Sequence, residues 1–170
     1  MMTLSLPAIQ ITQVRPVDIP EVVGFAMRAR AEMFPMLDSN TLPHDLQHFQ
    51  STYLETQCGQ FVIARQAGKL IGTLGFMPYN GRFPQLDYGN RRVVEIVRLF
   101  IDPEVRRLGL AARMFAALKT AALSQRVQVL YLHTHPFLPG AIAFWQRQGF
   151  SILDIEDDPL WQTTHMDCLL

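Results

Sequence analysis

The 170 residues are enough for one domain with a buried core, and 15 basic residues balance 15 acidic ones, so no net charge attracts nucleic acid or an anionic membrane. The 49% hydrophobic and 18% charged residues exclude disordered and collagen-like classes. Cys58 and Cys168 are far apart without a CxxC spacing, which predicts reduced thiols. We expect a single domain over 1–170 in the cytoplasm, because the sequence starts without a signal peptide and has no apolar run of about 18 residues.

The first half of the sequence predicts one strand, two helices and a hairpin. Asp18 is suited to an N-cap, and Pro20 fits the first turn of a helix that ends before Pro35. The turn QAGK between two apolar runs is typical of a β-hairpin. The predicted elements are a strand over 9–14, helices over 18–34 and 44–54, hairpin strands over 61–65 and 70–77, and a loop over 78–92.

The second half alternates strands with helices before it ends in two strands. Leu110, Met114 and Leu118 recur at helical spacing, and Gly149 stands where a helix C-terminus favours glycine. The predicted elements are strands over 93–101 and 127–132, helices over 108–124 and 141–148, and strands over 151–155 and 162–169. The order β-α-α-β-β-β-α-β-α-β-β predicts a mixed α/β domain.

The turn EVRRLGLAARM, residues 104–114, connects the strand over 93–101 to the following helix. A helix N-terminus presents free backbone N–H groups and a partial positive charge, which suit a phosphate. Gly109 lets the backbone approach a ligand closely, Ala111 adds little bulk, and Arg106 and Arg107 supply charge-assisted hydrogen bonds. An ordinary strand-to-helix connection is the alternative, since neither a P-loop nor a G-x-G-x-x-G motif is present.

Two segments in order, LFIDPEVRRLGLAARMFAAL and AIAFWQRQGF, resemble motifs of the GCN5-related N-acetyltransferase (GNAT) family. In the first, Arg106, Gly109 and Ala111 match the family pattern [RQ]-x-x-G-x-[GA]. The resemblance implies a GNAT-like α/β fold with a central mixed, mostly antiparallel sheet of six to seven strands and about four flanking helices. It also implies transfer of an acetyl group from acetyl-CoA to a primary amine of a small molecule or peptide, by direct attack in a ternary complex.

The same resemblance implies where coenzyme A binds. Amides of the turn hold the pyrophosphate, and backbone groups at the end of the central strand hold the pantetheine and thioester. Many relatives have a tyrosine that protonates the departing thiolate where this sequence has Trp145, which we interpret as an aromatic wall, and Leu138 stands in place of a common asparagine. The implied cofactor-binding residues are Leu99, Phe100, Ile101, Arg106, Arg107, Leu108, Gly109, Leu110, Ala111, Ala112 and Trp145.

Glu95 is a carboxylate inside the otherwise apolar strand VVEIVRLFI. Acetyl transfer needs a neutral amine, and the ammonium form dominates at neutral pH for a lysine-like amine with a pKa of about 10.4. A desolvated carboxylate is a suitable base, and similar family members carry a glutamate four residues before the thioester-binding position. We therefore expect Glu95 to act as general base, directly or through water. The alternative is a salt bridge to Arg91, Arg92 or Arg98.

The acceptor side of the site is defined less sharply. Phe34 and Tyr79 are candidate substrate contacts, because family specificity usually depends on the first helix pair and the loop after the hairpin. His133 is a third candidate, because the end of its strand adjoins the cleft in the family. His133 with His135, and His44 with His48, are halves of a zinc site that nothing obvious completes, so we expect no metal. We expect no nucleic-acid or membrane partner, and a homodimer is one possibility for this family. The alternative function is a non-catalytic acyl-CoA-binding sensor.

Overall fold

The computed structural model describes residues 5–106 and 108–170. Those residues form seven strands: β1 (Ile9–Gln13), β2 (Gln60–Gln66), β3 (Lys69–Pro78), β4 (Val93–Ile101), β5 (Val129–Thr134), β6 (Ser151–Ile155) and β7 (Thr164–Leu169). They also form four α-helices: α1 (Ile19–Met33), α2 (His44–Gln47), α3 (Leu110–Ser124) and α4 (Ala141–Arg147). A π-helical turn spans Gln50–Leu54, and short 3-10 turns span Pro16–Asp18 and Pro103–Val105. The predicted order of elements is confirmed.

All seven strands belong to one sheet in the order β1-β2-β3-β4-β5-β7-β6. Only β4 and β5 pair in parallel, while the other neighbours are antiparallel. The parallel pair requires a long crossover, and α3 supplies it. The predicted mixed, mostly antiparallel sheet of six to seven strands is therefore confirmed.

Helices cover both faces of the sheet at its centre. On one face, α3 buries Leu110, Met114 and Leu118, which recur every four residues and so share one stripe of the helix. On the other face, α1 buries Val22 and Ala26 in a second apolar cluster with residues of the π-helical turn. The two-sided cover explains why β2 and β3 read as continuous apolar runs without alternation.

The strands β4 and β5 separate soon after they meet. Their pairing is limited to Val93–Glu95 against Val129–Tyr131, and the last six residues of β4 have β3 as a neighbour but no longer pair with β5. A β-bulge at Arg98, where φ is +60°, interrupts the register with β3, and the Arg98 carbonyl accepts a hydrogen bond of 2.8 Å from the buried Thr73 hydroxyl. Because bulges bend a strand, this geometry opens a cleft in the middle of the sheet.

Two sequence predictions of local structure are wrong. The helix expected over 44–54 breaks at His48, where the backbone leaves the helical region, and resumes as the π-helical turn. The break allows the Tyr53 hydroxyl to donate to Asp45 at 2.7 Å, whereas residues eight apart in a continuous helix are separated by about 12 Å along the axis. The strands expected to start at 127 and 162 start two residues later, where β5 and β7 pair with each other.

Candidate active site

A cleft of about 370 Å³ lies between the separated ends of β4 and β5. Phe34 at the end of α1 and Met77 of β3 line one part of it, and Leu138 and Trp145 line another. Its polar residues are Glu95, His133, Asp45, Arg82, Arg98 and Thr134. The cleft therefore brings together predicted residues from four separate parts of the chain, the end of α1, β4, β5 and α4.

Glu95 is 2% exposed, and both of its carboxylate oxygens accept hydrogen bonds from Arg82. The distances are 2.6 Å from Arg82 Nη1 to Oε1 and 2.9 Å from Nη2 to Oε2. The predicted partners Arg91, Arg92 and Arg98 are thus wrong, and a salt bridge exists with a different arginine. Arg82 escaped prediction because it lies in the long polar loop, where no periodic pattern fixes which side chain turns inward.

His133 stands beside Glu95 on the neighbouring strand. Its Nδ1 lies 3.6 Å from Glu95 Oε2 and 3.4 Å from the Tyr131 hydroxyl. Burial lowers the pKa of His133 to about 4, although the nearby Glu95 charge opposes this effect. The ring is therefore neutral at neutral pH, with one nitrogen protonated and the other able to accept a proton.

The end of β4 presents backbone amides to the cleft. The amide of Asp102 donates to Ile71 of β3 at 2.8 Å, so the preceding amide, that of Ile101, points away from β3, although Ile101 itself is not among the described residues that line the cleft. Leu99 lies two residues earlier and shares this direction by the period of the strand. The Phe100 side chain is buried in the cluster beneath α1, and Phe100 also lines the cleft.

The turn before α3 has the geometry expected of an anion site. Gly109 adopts a φ of +73°, a left-handed conformation that favours glycine, and precedes the first residue of the helix. The first helical hydrogen bond runs from the Arg113 amide to the Gly109 carbonyl at 3.1 Å, which leaves the amides of Leu110, Ala111 and Ala112 without helical partners. These amides fit the pyrophosphate of coenzyme A.

The remaining residues of the turn differ in how far the structure describes them. Leu108 is 60% exposed. Arg106 is exposed and donates from Nε to the Ile101 carbonyl at 3.2 Å, which attaches the turn to the end of β4. Arg107, also predicted to bind the cofactor, lies outside the described residues.

Trp145 on α4 is 6% exposed and has edge-to-face contacts with Phe115 and Phe150 at ring distances of 5.5 and 5.2 Å. One side of it lines the cleft, as expected for an aromatic wall, and Leu138 lies nearby. The phenol of Tyr131 does not replace the missing tyrosine directly, because its hydroxyl is bound to His165 at 2.7 Å and Tyr131 is not among the described residues that line the cleft. Burial, with the Glu95 charge, raises the pKa of Tyr131 well above its usual value.

The structure separates the candidate substrate contacts. Phe34 lines the cleft and packs against His135, Phe137 and Trp161 at ring distances of 5.9 to 6.3 Å. Tyr79 is not among the described residues that line the cleft. Its ring instead packs on Tyr131 at 4.8 Å, and its hydroxyl accepts a hydrogen bond from the amide of Phe83.

A half-buried ion pair stabilises the bulge in β4. Arg98 donates from Nε and Nη2 to Asp45 at 2.9 and 2.6 Å, and the Tyr53 hydroxyl donates to the same carboxylate. Burial acts to raise the pKa of Asp45, but the hydrogen bonds and charge of Arg98, with the Tyr53 bond, leave it below its usual value. This network ties α2 and the π-helical turn to the strand that carries the predicted thioester-binding amides.

Comparison with known proteins identifies the family. A sequence profile of the acetyltransferase (GNAT) family matches residues 22–150. The chain belongs to this family. Its fold is also that of an acetyltransferase of GNAT family from Staphylococcus aureus Mu50, with a TM-score of 0.77 and 20% identity over 96% of this chain and 99% of that one.

Individual relatives are distant. Human N-acetyltransferase 8 is 27% identical over 110 residues, and the uncharacterized N-acetyltransferase YjgM of Escherichia coli K12 is 26% identical over 106 residues. The matches cover 65% and 62% of this chain but only 46% and 58% of those proteins. The PaiA N-acetyltransferase of Thermoplasma acidophilum, solved in complex with coenzyme A, shares the fold with a TM-score of 0.70 and 14% identity, over 96% of this chain and 99% of that one.

The described part of the chain has neither a membrane-spanning helix nor a metal-binding group of side chains. None of its helices has both the length and the apolar character required to cross a bilayer. Residues 5–106 and 108–170 also contain no group of three His, Cys, Asp or Glu side chains arranged to bind a metal ion.

Proposed function

We propose that this chain transfers an acetyl group from acetyl-CoA to a primary amine of a small molecule or peptide, by direct attack of the amine in a ternary complex. The observation that carries the proposal is the cleft between β4 and β5. It combines a buried carboxylate, a neutral imidazole and inward-facing strand amides, and the free amides of α3 lie beyond the end of β4. Membership of the acetyltransferase family supports this reading.

Coenzyme A is assigned to the groups that fit it. The amides of Leu110, Ala111 and Ala112 bind the pyrophosphate, with Gly109 allowing close approach and Arg106 adding positive charge. The amides of Leu99 and Ile101 bind the pantetheine and the thioester carbonyl. When bound, acetyl-CoA supplies the activated acyl group. Trp145 forms a wall beside it and keeps water from that side of the cleft.

Glu95 is the catalytic carboxylate of the proposal. Because both of its oxygens are held by Arg82, the amine proton reaches it through a water or is taken by the adjacent His133, whose neutral ring Glu95 orients. A buried carboxylate beside an imidazole supports positive charge that develops on the ring as the proton arrives. Phe34 at the rim of the cleft contacts the acceptor. The cytoplasmic location, a homodimeric assembly and the absence of a nucleic-acid partner stay predictions.

One observation favours a second function, a non-catalytic acyl-CoA-binding module. Trp145 replaces the tyrosine that protonates the departing thiolate in many relatives, Leu138 replaces a common asparagine, and Arg82 donates to both oxygens of Glu95. A thiol with a pKa near 8.5 leaves without much assistance, which supports the enzyme over the module.

A direct experiment separates the two. The purified protein is mixed with acetyl-CoA and a panel of small amines and amine-bearing peptides, and thiol release and acetylated product are both measured. We expect acetylated product from at least one class of amine, and a large loss in Glu95→Gln. Tight binding of coenzyme A in calorimetry, with no product from any amine, contradicts the enzymatic proposal and supports the module.

A further inference from the structure

A row of hydrogen-bonding side chains crosses the sheet from the cleft to its edge. Tyr131 and His133 alternate along β5, and His165 lies directly opposite His133 on β7. Their neighbours Leu130, Leu132 and Met166 belong to the core under α3, so the row occupies the opposite face. Glu156, just after β6, ends it.

The atoms of the row form a continuous chain. His133 Nδ1 lies 3.4 Å from the Tyr131 hydroxyl, which lies 2.7 Å from His165 Nδ1. His165 Nε2 lies 3.0 Å from Glu156 Oε1. The His165 side chain is fully buried, whereas that of Glu156 is 37% exposed. The chain therefore leads from the cleft, through the protein interior, to a carboxylate in contact with solvent.

The donors in this chain all point in one direction. A carboxylate only accepts hydrogen bonds, so His165 carries its proton on Nε2 and its Nδ1 accepts from the Tyr131 hydroxyl. The Tyr131 oxygen then accepts from His133 Nδ1. The remaining nitrogen of His133, Nε2, has no hydrogen-bond partner among the described residues, is not buried and carries a lone pair. This nitrogen belongs to a ring that lines the cleft.

The loop between β3 and β4 covers this row of side chains. Phe83 covers it, with ring distances of 4.6 Å to His165 and 5.8 Å to His133. Gln85 Nε2 lies 3.3 Å from both Glu156 and Asp154, so it holds the loop against the outer end. Because Tyr131 and His165 in the middle of the row are both fully buried, a proton that moves between His133 and Glu156 must pass from side chain to side chain.

We infer that this row is a proton relay in which His133 takes the proton of the acceptor amine at Nε2 and Glu156 releases a proton to solvent. The inference rests on the proposed acetyl transfer. The ammonium N–H bond breaks and leaves its electron pair on the amine, while His133 gains a proton at Nε2 and passes its Nδ1 proton to Tyr131. Tyr131 passes its own proton to His165 Nδ1, and His165 passes its Nε2 proton to Glu156.

The relay also accounts for the proton that the departing thiolate requires. When the chain runs in reverse, Glu156 takes one proton from solvent and His133 Nε2 delivers one into the cleft. This restores every tautomer to its starting form. The attacking nitrogen still carries one proton more than the amide product, and this second proton passes through a water to the Glu95 carboxylate and then to solvent, so the whole reaction releases one proton for each ammonium that is acetylated. A separate acid at the position of Trp145 is then unnecessary.

Glu156→Gln separates proton transfer from hydrogen bonding. The glutamine side-chain oxygen can still accept a hydrogen bond from His165, but the amide cannot take up a proton. We expect kcat to fall on the order of 10-fold, with both KM values unchanged and a larger solvent deuterium isotope effect on kcat. Asp154→Asn is the matched control, since it removes a carboxylate that Gln85 also contacts but that lies outside the chain. Glu156→Ala is expected to be slow and to recover activity in acetate buffer, which a structural role does not predict.

A second measurement is independent of turnover. In 15N NMR spectra of the protein without acetyl-CoA, we expect His165 protonated at Nε2 and His133 at Nδ1. The opposite tautomer of His165, in which Gln85 donates to Nε2 across the 3.5 Å that separates them, overturns the relay. Full activity in Glu156→Gln with an unchanged isotope effect also overturns it. Failure of the proposed function looks different, because the unmodified protein then acetylates no amine.

Discussion

Gly109→Asp tests the pyrophosphate site most directly. A Cβ placed on Gly109 meets no heavy atom within 4 Å, so the aspartate side chain finds open space. A carboxylate before the first turn of α3 interacts favourably with the helix dipole, by about 0.3–1 kcal/mol. This offsets part of the cost of about 1–2 kcal/mol for a non-glycine residue with a left-handed backbone conformation. We therefore expect a folded variant with a melting temperature close to that of the unmodified protein.

Binding of coenzyme A should suffer far more than folding. A carboxylate about 5 Å from a phosphate charge repels it by about 3 kcal/mol at an effective dielectric constant of about 20. The turn is exposed, so dissolved ions also weaken this repulsion. With a Debye length of about 8 Å at physiological ionic strength, the repulsion at about 5 Å falls to about 2 kcal/mol. This corresponds to a loss of affinity of about 30-fold.

Gly109→Asn is the matched control, since asparagine has nearly the same shape as aspartate, tolerates the left-handed conformation and carries no charge. Titration calorimetry with coenzyme A at low and high salt measures the difference between the two variants. We expect it to shrink as salt increases. Equal affinities for the Asp and Asn variants at low salt would show that no anion binds at this turn.

Three further predictions concern the cleft. Glu95→Gln should lower kcat by on the order of 100-fold with little change in the KM for acetyl-CoA, measured by thiol release, and a fully active variant would remove Glu95 from the chemistry. Because His133 must be neutral to accept a proton and has a pKa of about 4, kcat/KM should fall as the pH drops through about 4. The Glu95 charge raises the pKa of His133, so in Glu95→Gln this fall in kcat/KM should move to lower pH. Asp45→Asn leaves Arg98 without its counter-charge and should cost about 3 kcal/mol in urea unfolding. Since the folded-state pKa of Asp45 is depressed, its contribution is present above about pH 4 and is lost as the pH falls through the folded-state pKa, so the variant and parent should converge in acid.

The sequence was most informative where a local rule applies. The periodic apolar residues of α3 and the order of the strands and helices were predicted correctly, because helix and strand periods depend on which face is buried, although α3 begins at Leu110, two residues later than expected. The helix over 44–54 failed for a long-range reason. The Asp45 carboxylate is bonded both to Tyr53 and to Arg98 on β4, and local propensity contains no information about that partner.

The same distinction applies to the candidate site. Glu95 was identified because burying an unpaired carboxylate is costly, so a carboxylate in an apolar strand indicates a charged partner or a catalytic role. The motif around Gly109 indicated an anion site. The partner itself, Arg82, lies in a loop whose side chains follow no period. The row of side chains from His133 to Glu156 could not be predicted for a similar reason. Its members are distant in sequence and meet only when β5 pairs with β7.

The sequence by itself determined the order of the elements, the family motifs and the carboxylate at the centre of the sheet. These depend on residue types at short, fixed spacings. The tertiary structure alone decided where β4 and β5 separate, which arginine holds Glu95 and which histidine stays neutral. Those features depend on strand pairing and desolvation, which arise only when parts of the chain that are far apart in sequence pack together.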